Sequence, residues 1–334
     1  MFCGVKTPRS GQRERLRNKS FQSVKAVIDI GSNSIKLRVV CKQGRLLRTL
    51  VDTTEVVRLG KGLAAGILDE ETIRHGVEVV CRLTHRAAEM GATPRVVGTM
   101  ALRVAQNAED FVRRVRSDTG IAVEILSGEE EARLAWLGAT YGLDAPKGNV
   151  AVFDAGGGST ELIFGVDSRI TALRSVPVGA VSLTERFFDT DPVNPGSVEA
   201  ALCFVRALLI SADLPQHSMP FVIGLGGGVA AIASVKLKLP SFVPKTLDGT
   251  FLARNDIMEQ AQLYASLTLN ERTNIAGLSS KRADIILASA CIVQCVLEAL
   301  DADSFQVSIN GLRHGLLVEM FQEGENPHHF KEVE

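Results

Sequence analysis

Two stretches of the sequence place an aspartate near the end of an apolar run and follow it with small residues. Asp29 precedes Gly31-Ser32-Asn33-Ser34, and Asp154 precedes Gly156-Gly157-Gly158-Ser159. A strand that ends in aspartate delivers a carboxylate to the edge of a sheet, and a glycine-serine turn exposes backbone amides that can cradle phosphate. Two such turns face to face could grip a phosphoryl group from opposite sides, while their carboxylates hold Mg²⁺ between them.

Each turn is followed by a second apolar run, residues 35–40 in the first stretch and 161–165 in the second. The pattern predicts a β-hairpin in both places, and therefore a duplicated fold. One such hairpin alone could be only a tight turn, but two in the same order favour a functional site.

A third glycine loop, Gly224 to Gly228, follows the apolar run 221–223 and precedes a predicted helix over 229–235. Backbone amides at a helix N-terminus favour anions, so we expect Gly226 and Gly227 to contact phosphate. Close packing is the alternative role of these glycines.

Helices and strands are predicted to alternate along the rest of the chain, which indicates an α/β protein. Apolar spacing predicts a helix from Glu70 to Met90 with Asp69 as its N-cap. The other predicted elements are strands at 95–98, 123–126, 170–178 and 305–308, and helices at 110–117, 195–212, 284–300 and 312–322.

The composition of the chain bounds its class. A length of 334 residues fits two domains, and 46% hydrophobic with 22% charged residues excludes a disordered protein. No run approaches about 18 apolar residues, so we expect no membrane span. The net charge of −1 gives no general attraction to a nucleic acid polymer. Six scattered cysteines without a metal-binding pattern suggest reduced thiols and a cytoplasmic location.

Residues 1–23 form a basic segment without the apolar centre of a secretory signal. We expect a disordered tail, with a polyanion-catching arm as the alternative.

An ordered set of motifs from about Val24 to Val318 resembles the Ppx/GppA phosphatase family, whose members remove terminal phosphates from inorganic polyphosphate or from guanosine pentaphosphate. The resemblance is to the short two-domain form, because longer relatives carry additional helical domains. The motifs are Asp29-Ile30-Gly31-Ser32-Asn33-Ser34, Arg58-Leu59-Gly60, Gly98-Thr99-Met100-Ala101-Leu102-Arg103, Ser127-Gly128-Glu129-Glu130-Glu131-Ala132-Arg133, Asp154-Ala155-Gly156-Gly157-Gly158-Ser159-Thr160-Glu161-Leu162, Lys281-Arg282-Ala283-Asp284 and Gly311-Leu312-Arg313-His314-Gly315-Leu316-Leu317.

The resemblance implies a duplicated actin-like fold (ASKHA, ribonuclease H-like) of two lobes with the active site in the cleft between them. Each lobe would hold a five-stranded sheet. Residues 24–128 together with about 309–325 are expected to form lobe I, and residues 129–308 lobe II.

The resemblance also implies roles for individual residues. Glu131 would activate the attacking water, with Glu130 as the neighbouring alternative, and Arg103 would clamp the transferred phosphoryl group. The metal ligands for Mg²⁺, or for Mn²⁺ in its place, would be Asp154, Glu161 and Asp29. Many relatives have arginine where this chain has Lys36, so a point charge replaces a forked donor there. The phosphate-binding set would be Gly31, Ser32, Asn33, Ser34, Gly156, Gly157, Gly158, Ser159, Gly226 and Gly227.

The expected function is an exopolyphosphatase that releases terminal orthophosphate from inorganic polyphosphate by Mg²⁺-dependent in-line water attack. The first alternative is a guanosine pentaphosphate 5′-phosphohydrolase. A sugar kinase or ATPase of the same superfamily, and a non-catalytic sensor of polyphosphate or nucleotide, are further alternatives. The expected partner is the phosphate substrate, with no nucleic acid polymer and no membrane, and a homodimer is left open.

Overall fold

The structure is a computed structural model that describes residues 23–43, 46–61, 63, 66–141, 148–166, 169–215, 219, 221–240 and 243–322. The basic tail predicted at residues 1–23 lies outside them, apart from its last residue.

The first sheet has five strands in the order β3-β2-β1-β4-β5. Strand β1 runs antiparallel to β2 and parallel to β4, and its apolar residues are buried because helices cover the sheet. The predicted first hairpin is confirmed. The strands are β1 (Val24–Ile30), β2 (Ser34–Gln43), β3 (Leu46–Val56), β4 (Pro94–Gly98) and β5 (Val123–Ile125).

The second sheet has six strands in the order β10-β11-β9-β6-β7-β8. Strand β6 runs antiparallel to β7 and parallel to β9, as β1 does to β2 and β4. The repeated order and directions confirm the duplicated actin-like fold. The strands are β6 (Asn149–Ala155), β7 (Thr160–Val166), β8 (Arg169–Val176), β9 (Phe221–Leu225), β10 (Phe251–Ala253) and β11 (Ser304–Val307).

The expectation of five strands in each lobe is wrong for the second sheet. A three-residue strand, β10, adds to its edge antiparallel to β11. This strand is only three residues long and all three are apolar, so the sequence shows no alternation of apolar and polar residues there.

Twelve α-helices and one short 3₁₀ helix, Ser280–Arg282, are found among the described residues. The α-helices are α1 (Glu70–Glu89), α2 (Met100–Val104), α3 (Ala108–Thr119), α4 (Gly128–Thr140), α5 (Ala180–Phe187), α6 (Pro195–Ser211), α7 (Gly227–Lys236), α8 (Pro244–Leu247), α9 (Arg254–Ser266), α10 (Leu269–Arg272), α11 (Ile286–Ala299) and α12 (Leu312–Gln322). The Asp69 side chain accepts a hydrogen bond from the Thr72 amide at 3.1 Å, which confirms the predicted N-cap of α1. In the described ranges, no helix combines the length and apolar character needed to cross a membrane.

Helices α4 and α12 lie between the two sheets. The apolar face of α12, with Leu312 and Leu316, packs with Val27 of β1. Helix α4 buries Ala135 and Trp136 against the strands of the second sheet. The last helix thus returns to the first sheet, and the lobe boundaries given above remain a proposal.

Candidate active site

The two glycine turns close in the same way. The amide of Gly31 donates to the carbonyl of Ser34 at 3.1 Å, and the amide of Gly156 donates to the carbonyl of Ser159 at 2.9 Å. Neighbouring segments hold the turns from outside: the Gly60 amide donates to the Ser32 carbonyl at 2.7 Å. The first residues of α5 do the same for the second turn, through the carbonyls of Gly156 and Gly157. With these carbonyls engaged, and the Gly31 and Gly156 amides used to close the turns, the remaining amide groups are the polar groups that each turn can offer to an anion.

The two turns face each other across a cleft of about 880 Å³ that both of them line. They approach so closely that a Cβ atom on Gly157 would lie 3.2 Å from the Cβ atom of Ser32 and 3.3 Å from the amide nitrogen of Asn33. A side chain at Gly157 would therefore force Ser32 or Asn33 to shift where the two turns meet. The structure brings together both predicted phosphate turns.

The third glycine loop reaches the same cleft. Gly226 has φ +110°, in the left-handed region, and a Cβ atom there would lie 2.5 Å from the carbonyl oxygen of Ala155. The same Cβ would lie 3.1 Å from Oδ1 of Asp154, so the loop packs directly against this aspartate. Helix α7 begins at Gly227 and presents its N-terminus to the cleft, which favours an anion there.

The two hairpins differ in the charges that pair across their strands. In the first hairpin Asp29 lies opposite Lys36, and the Lys36 ammonium nitrogen is 3.5 Å from the Asp29 carboxylate. In the second hairpin Asp154 lies opposite Glu161. Like charges directly opposite each other destabilise a sheet. Only the second hairpin therefore carries an unbalanced pair of acids.

Glu131 enters the cleft from the first turn of α4. Nη1 of Arg103 donates to the Glu131 carboxylate at 3.2 Å and to the carbonyl of Leu126 at 2.7 Å, which anchors the arginine. Burial raises the pKa of Glu131 to about 7, with Asp154 and Asp29 adding to the rise and Arg103 opposing it. A carboxylate with a pKa near neutrality is suited to accept a proton from water.

The neighbouring glutamate, Glu130, has a different task. Its carboxylate accepts a hydrogen bond from the Ser127 amide at 2.8 Å, while its own amide donates to the Ser127 hydroxyl at 3.1 Å. This capping box holds the start of α4, and the hydrogen bonds that the Ser127 amide and hydroxyl donate to the Glu130 carboxylate lower the pKa of Glu130. Glu131 lines the cleft and Glu130 does not, so the geometry favours Glu131 of the two.

Asp154 and Glu161 are the acids whose surroundings fit a divalent cation. Burial raises the pKa of Asp154 to about 6, and burial with Glu131 and Asp154 nearby raises that of Glu161 to about 8. Within the described residues, no three His, Cys, Asp or Glu side chains form a ready-made metal cage. Mg²⁺ needs no such cage, because it binds one or two carboxylates together with waters and substrate phosphates. The residues therefore fit Mg²⁺ in company with a phosphate substrate.

Basic side chains for which the sequence predicted no individual role also line the cleft: Lys281, Arg282, Arg38 and Arg313. The Arg282 guanidinium lies against the third glycine loop, where a Cβ atom on Gly227 would collide with it. Its neighbour Asp284 forms an ion pair of 2.8 Å with Arg58. Lys281 to Asp284 was recognisable as a motif, but its residue types alone predict no role. Arg103, by contrast, contacts Glu131 from behind and does not line the cleft.

The chain was compared with known proteins. The model of the Ppx/GppA phosphatase family matches residues 38–323. The guanosine-5′-triphosphate,3′-diphosphate pyrophosphatase of Vibrio vulnificus (strain YJ016) is 29% identical over 300 residues, which are 89% of this chain and 59% of that protein. The chain thus spans 59% of the length of this curated relative.

Two solved structures match this chain over most of its length and over nearly all of their own. The crystal structure of the Aquifex aeolicus member of the Ppx/GppA family is 30% identical, with a TM-score of 0.77, and the match covers 91% of this chain and 100% of that one. An exopolyphosphatase-like protein is 26% identical, with a TM-score of 0.83 over 89% of this chain and 97% of that one.

Proposed function

The chain belongs to the Ppx/GppA phosphatase family, and on that basis we propose that it hydrolyses the terminal phosphoanhydride bond of a phosphate-rich substrate. The observation that carries the proposal is the convergence of Glu131 with two facing glycine turns in one cleft. Hydrolysis of this bond depends mainly on positioning and on charge stabilisation, which these groups can supply.

In the proposed reaction Glu131 accepts a proton from a water molecule that attacks the terminal phosphorus. Arg103 fixes the position of the Glu131 carboxylate, through the hydrogen bonds that join it to Glu131 and to Leu126. The amides of the two turns bind the oxygens of the terminal phosphate, which is released as orthophosphate, and the oxygens of the phosphate next to it. Asp154 and Glu161, facing Asp29, would hold Mg²⁺, which when bound supplies positive charge to the phosphate oxygens.

Guanosine pentaphosphate is the substrate that we propose first. The support comes from curated relatives that are named guanosine-5′-triphosphate,3′-diphosphate pyrophosphatase. These relatives favour guanosine pentaphosphate, which the sequence suggests as the first alternative, over polyphosphate, which the sequence suggests first.

Inorganic polyphosphate remains the second candidate because of the composition of the cleft wall. Among the described residues that line the cleft, none has an aromatic ring on which a guanine base could stack. The cleft instead offers backbone turns and basic side chains, which bind phosphate without regard to a base. The solved structure of an exopolyphosphatase-like protein at 26% identity is consistent with this candidate.

The test is orthophosphate release by the purified chain in the presence of Mg²⁺. The substrates are guanosine pentaphosphate, long-chain polyphosphate, tripolyphosphate and ATP, compared by kcat/KM. The highest value for guanosine pentaphosphate supports the first candidate, and the highest value for polyphosphate supports the second. Binding of these compounds without any release of orthophosphate would contradict the proposed hydrolysis and would favour a non-catalytic sensor.

A further inference from the structure

Two arginines, Arg38 and Arg313, line the cleft away from the two glycine turns. Residues Ser34, Lys36 and Arg38 alternate along β2, so they share one face of the sheet, and all three line the cleft. Because a strand rises about 3.4 Å per residue, Arg38 lies roughly 13 Å along β2 from the first turn. A substrate held at the turns must be long to reach it.

Arg38 is buried, and its guanidinium group is incompletely paired. It is only 6% exposed, and among the described residues its Nε atom has no hydrogen-bond partner. Nη1 of Arg38 donates to Oδ1 of Asn310 at 3.1 Å, and Nε lies 3.3 Å from Oδ2 of Asp52 without hydrogen-bond geometry. A buried guanidinium with a free donor is costly unless a further acceptor completes it.

A second arginine competes for the same aspartate. Nη1 of Arg313, at the start of α12, donates to Oδ1 of Asp52 at 2.7 Å and to the carbonyl of Leu37 at 3.4 Å. Two guanidinium groups therefore share one carboxylate, one on each of its oxygens. The pair retains an excess positive charge beside open space.

The next acid along offsets part of this charge from a distance, but among the described residues it forms no hydrogen bond with either guanidinium group. The Asp248 carboxylate accepts a hydrogen bond from the amide of Ile309 at 3.0 Å and another from Nδ2 of Asn310 at 3.4 Å. Both of its oxygens are therefore occupied by uncharged donors. It reaches Arg38 only through Asn310, and its charge acts on Arg38 from a distance.

We propose that Arg38 and Arg313 form a distal anion subsite, which binds phosphate groups of the substrate remote from the phosphate that is hydrolysed. The inference rests on the proposed function. Its ligand is defined by chemistry: either the further phosphates of a polyphosphate chain or the 3′-diphosphate of guanosine pentaphosphate. In both cases the guanidinium groups bind phosphate oxygens in place of the shared Asp52 carboxylate.

The test measures dissociation constants by calorimetry in the full chain carrying Glu131→Gln, with Mg²⁺ present. Two ligand pairs separate the two sources: long-chain polyphosphate against tripolyphosphate, and guanosine pentaphosphate against GTP. Arg38→Met removes the charge and keeps an apolar side chain of similar length. Arg95→Met is the matched control, because Arg95 lies on β4, pairs with Glu124 at 2.9 Å and does not line the cleft.

We expect Arg38→Met to weaken the longer ligand of one pair by about tenfold more than the shorter one, the value of a lost charge-assisted hydrogen bond. A change confined to the polyphosphate pair identifies chain phosphates, and one confined to the guanosine pair identifies the 3′-diphosphate. If Arg38→Met weakens the binding of long and short ligands equally, or weakens neither, the proposed subsite is wrong. Arg95→Met should leave both ratios unchanged.

Asp52→Asn gives an independent answer of opposite sign, which also covers the case in which Arg38→Met fails to fold. Loss of the competing carboxylate should tighten binding of the same longer ligand by several-fold, whereas a purely structural Asp52 would not tighten it. The proposed hydrolysis is judged separately, by phosphate release from the unsubstituted chain. A chain that binds the long ligands through Arg38 without releasing phosphate would keep the subsite and refute the hydrolysis.

Discussion

Glu161 is the direct cross-strand partner of Asp154, at the position where the first hairpin places Lys36 opposite Asp29. Both hairpins thus have an aspartate at this position, but its cross-strand partner is positively charged in the first hairpin and negatively charged in the second. Glu161 is only 2% exposed and receives a hydrogen bond from the Ser175 hydroxyl at 3.1 Å. Two buried acids side by side favour a cation between them and the substrate.

The first prediction concerns this difference between the hairpins. Asp154→Asn or Glu161→Gln should raise the Mg²⁺ concentration for half-maximal activity at least about tenfold, since each removes an anionic oxygen ligand. Asp29→Asn should raise it less, because Lys36 already offsets the charge of Asp29. Metal titrations of phosphate release check both statements. Overlapping curves for Asp154→Asn and the parent chain would show that Asp154 is structural.

The second prediction concerns the stability of the metal-free protein at different pH values. The pKa of Glu131 rises from 4.5 to about 7 and that of Glu161 from 4.5 to about 8, so the folded state binds more protons than the unfolded state between these values. Stability should therefore fall as the pH rises from 4.5 towards 8, and most clearly above pH 6.5, because His314, whose pKa burial lowers from 6.5 to about 4, opposes the fall only below pH 6.5. Acids with lowered pKa, such as Glu319, act in the opposite direction, but only near and below their ordinary pKa of 4.5.

Melting temperatures measured in EDTA across this range check the prediction. Glu161→Gln should flatten the decline, because it removes one of the groups that must lose a proton. A melting temperature that stays level or rises with pH in the parent chain would show that these carboxyl groups are not strained by burial and by each other.

The third prediction separates the two adjacent glutamates. Glu130→Ala should cost about 1 kcal/mol of stability, because it removes half of the capping box of α4. It should leave kcat nearly unchanged, since Glu130 does not line the cleft. Thermal unfolding and phosphate release, measured on the same preparation, test this. A large loss of turnover without loss of stability would reverse the roles of Glu130 and Glu131.

Much of the fold follows from local sequence. Both hairpins were predictable because an apolar run, an aspartate and a glycine turn lie within about ten residues of each other. The N-cap at Asp69 follows from side-chain chemistry in the same local way. The edge strand Phe251–Ala253 was not predictable, because its existence depends on pairing with the distant Ser304–Val307.

The candidate site was predictable only in part, for the same reason. Its acids and glycines belong to compact motifs. Arg38 and Arg313, however, meet at Asp52 only because the last helix returns to the first sheet. No spacing in the sequence links Arg38 and Arg313, which lie at opposite ends of the chain.

The fourth prediction concerns Arg103, which the sequence suggested as a clamp on phosphate and which the structure joins to Glu131. Arg103→Met should raise the pKa of Glu131, because the arginine lowers it. The acid limb of the profile of kcat/KM against pH should then move to higher pH, with activity recovering at alkaline pH. An equal loss at every pH, with a higher KM, would instead support direct contact of Arg103 with the phosphoryl group.

The most direct test of the account is single-turnover phosphate release by Glu131→Gln, with substrate affinity measured on the same variant. The amide keeps the shape of the side chain but cannot take a proton from water. We predict that the rate falls by at least about a hundredfold while the dissociation constant changes by less than about threefold. Release within about tenfold of the parent rate would contradict the assignment of Glu131 as the base.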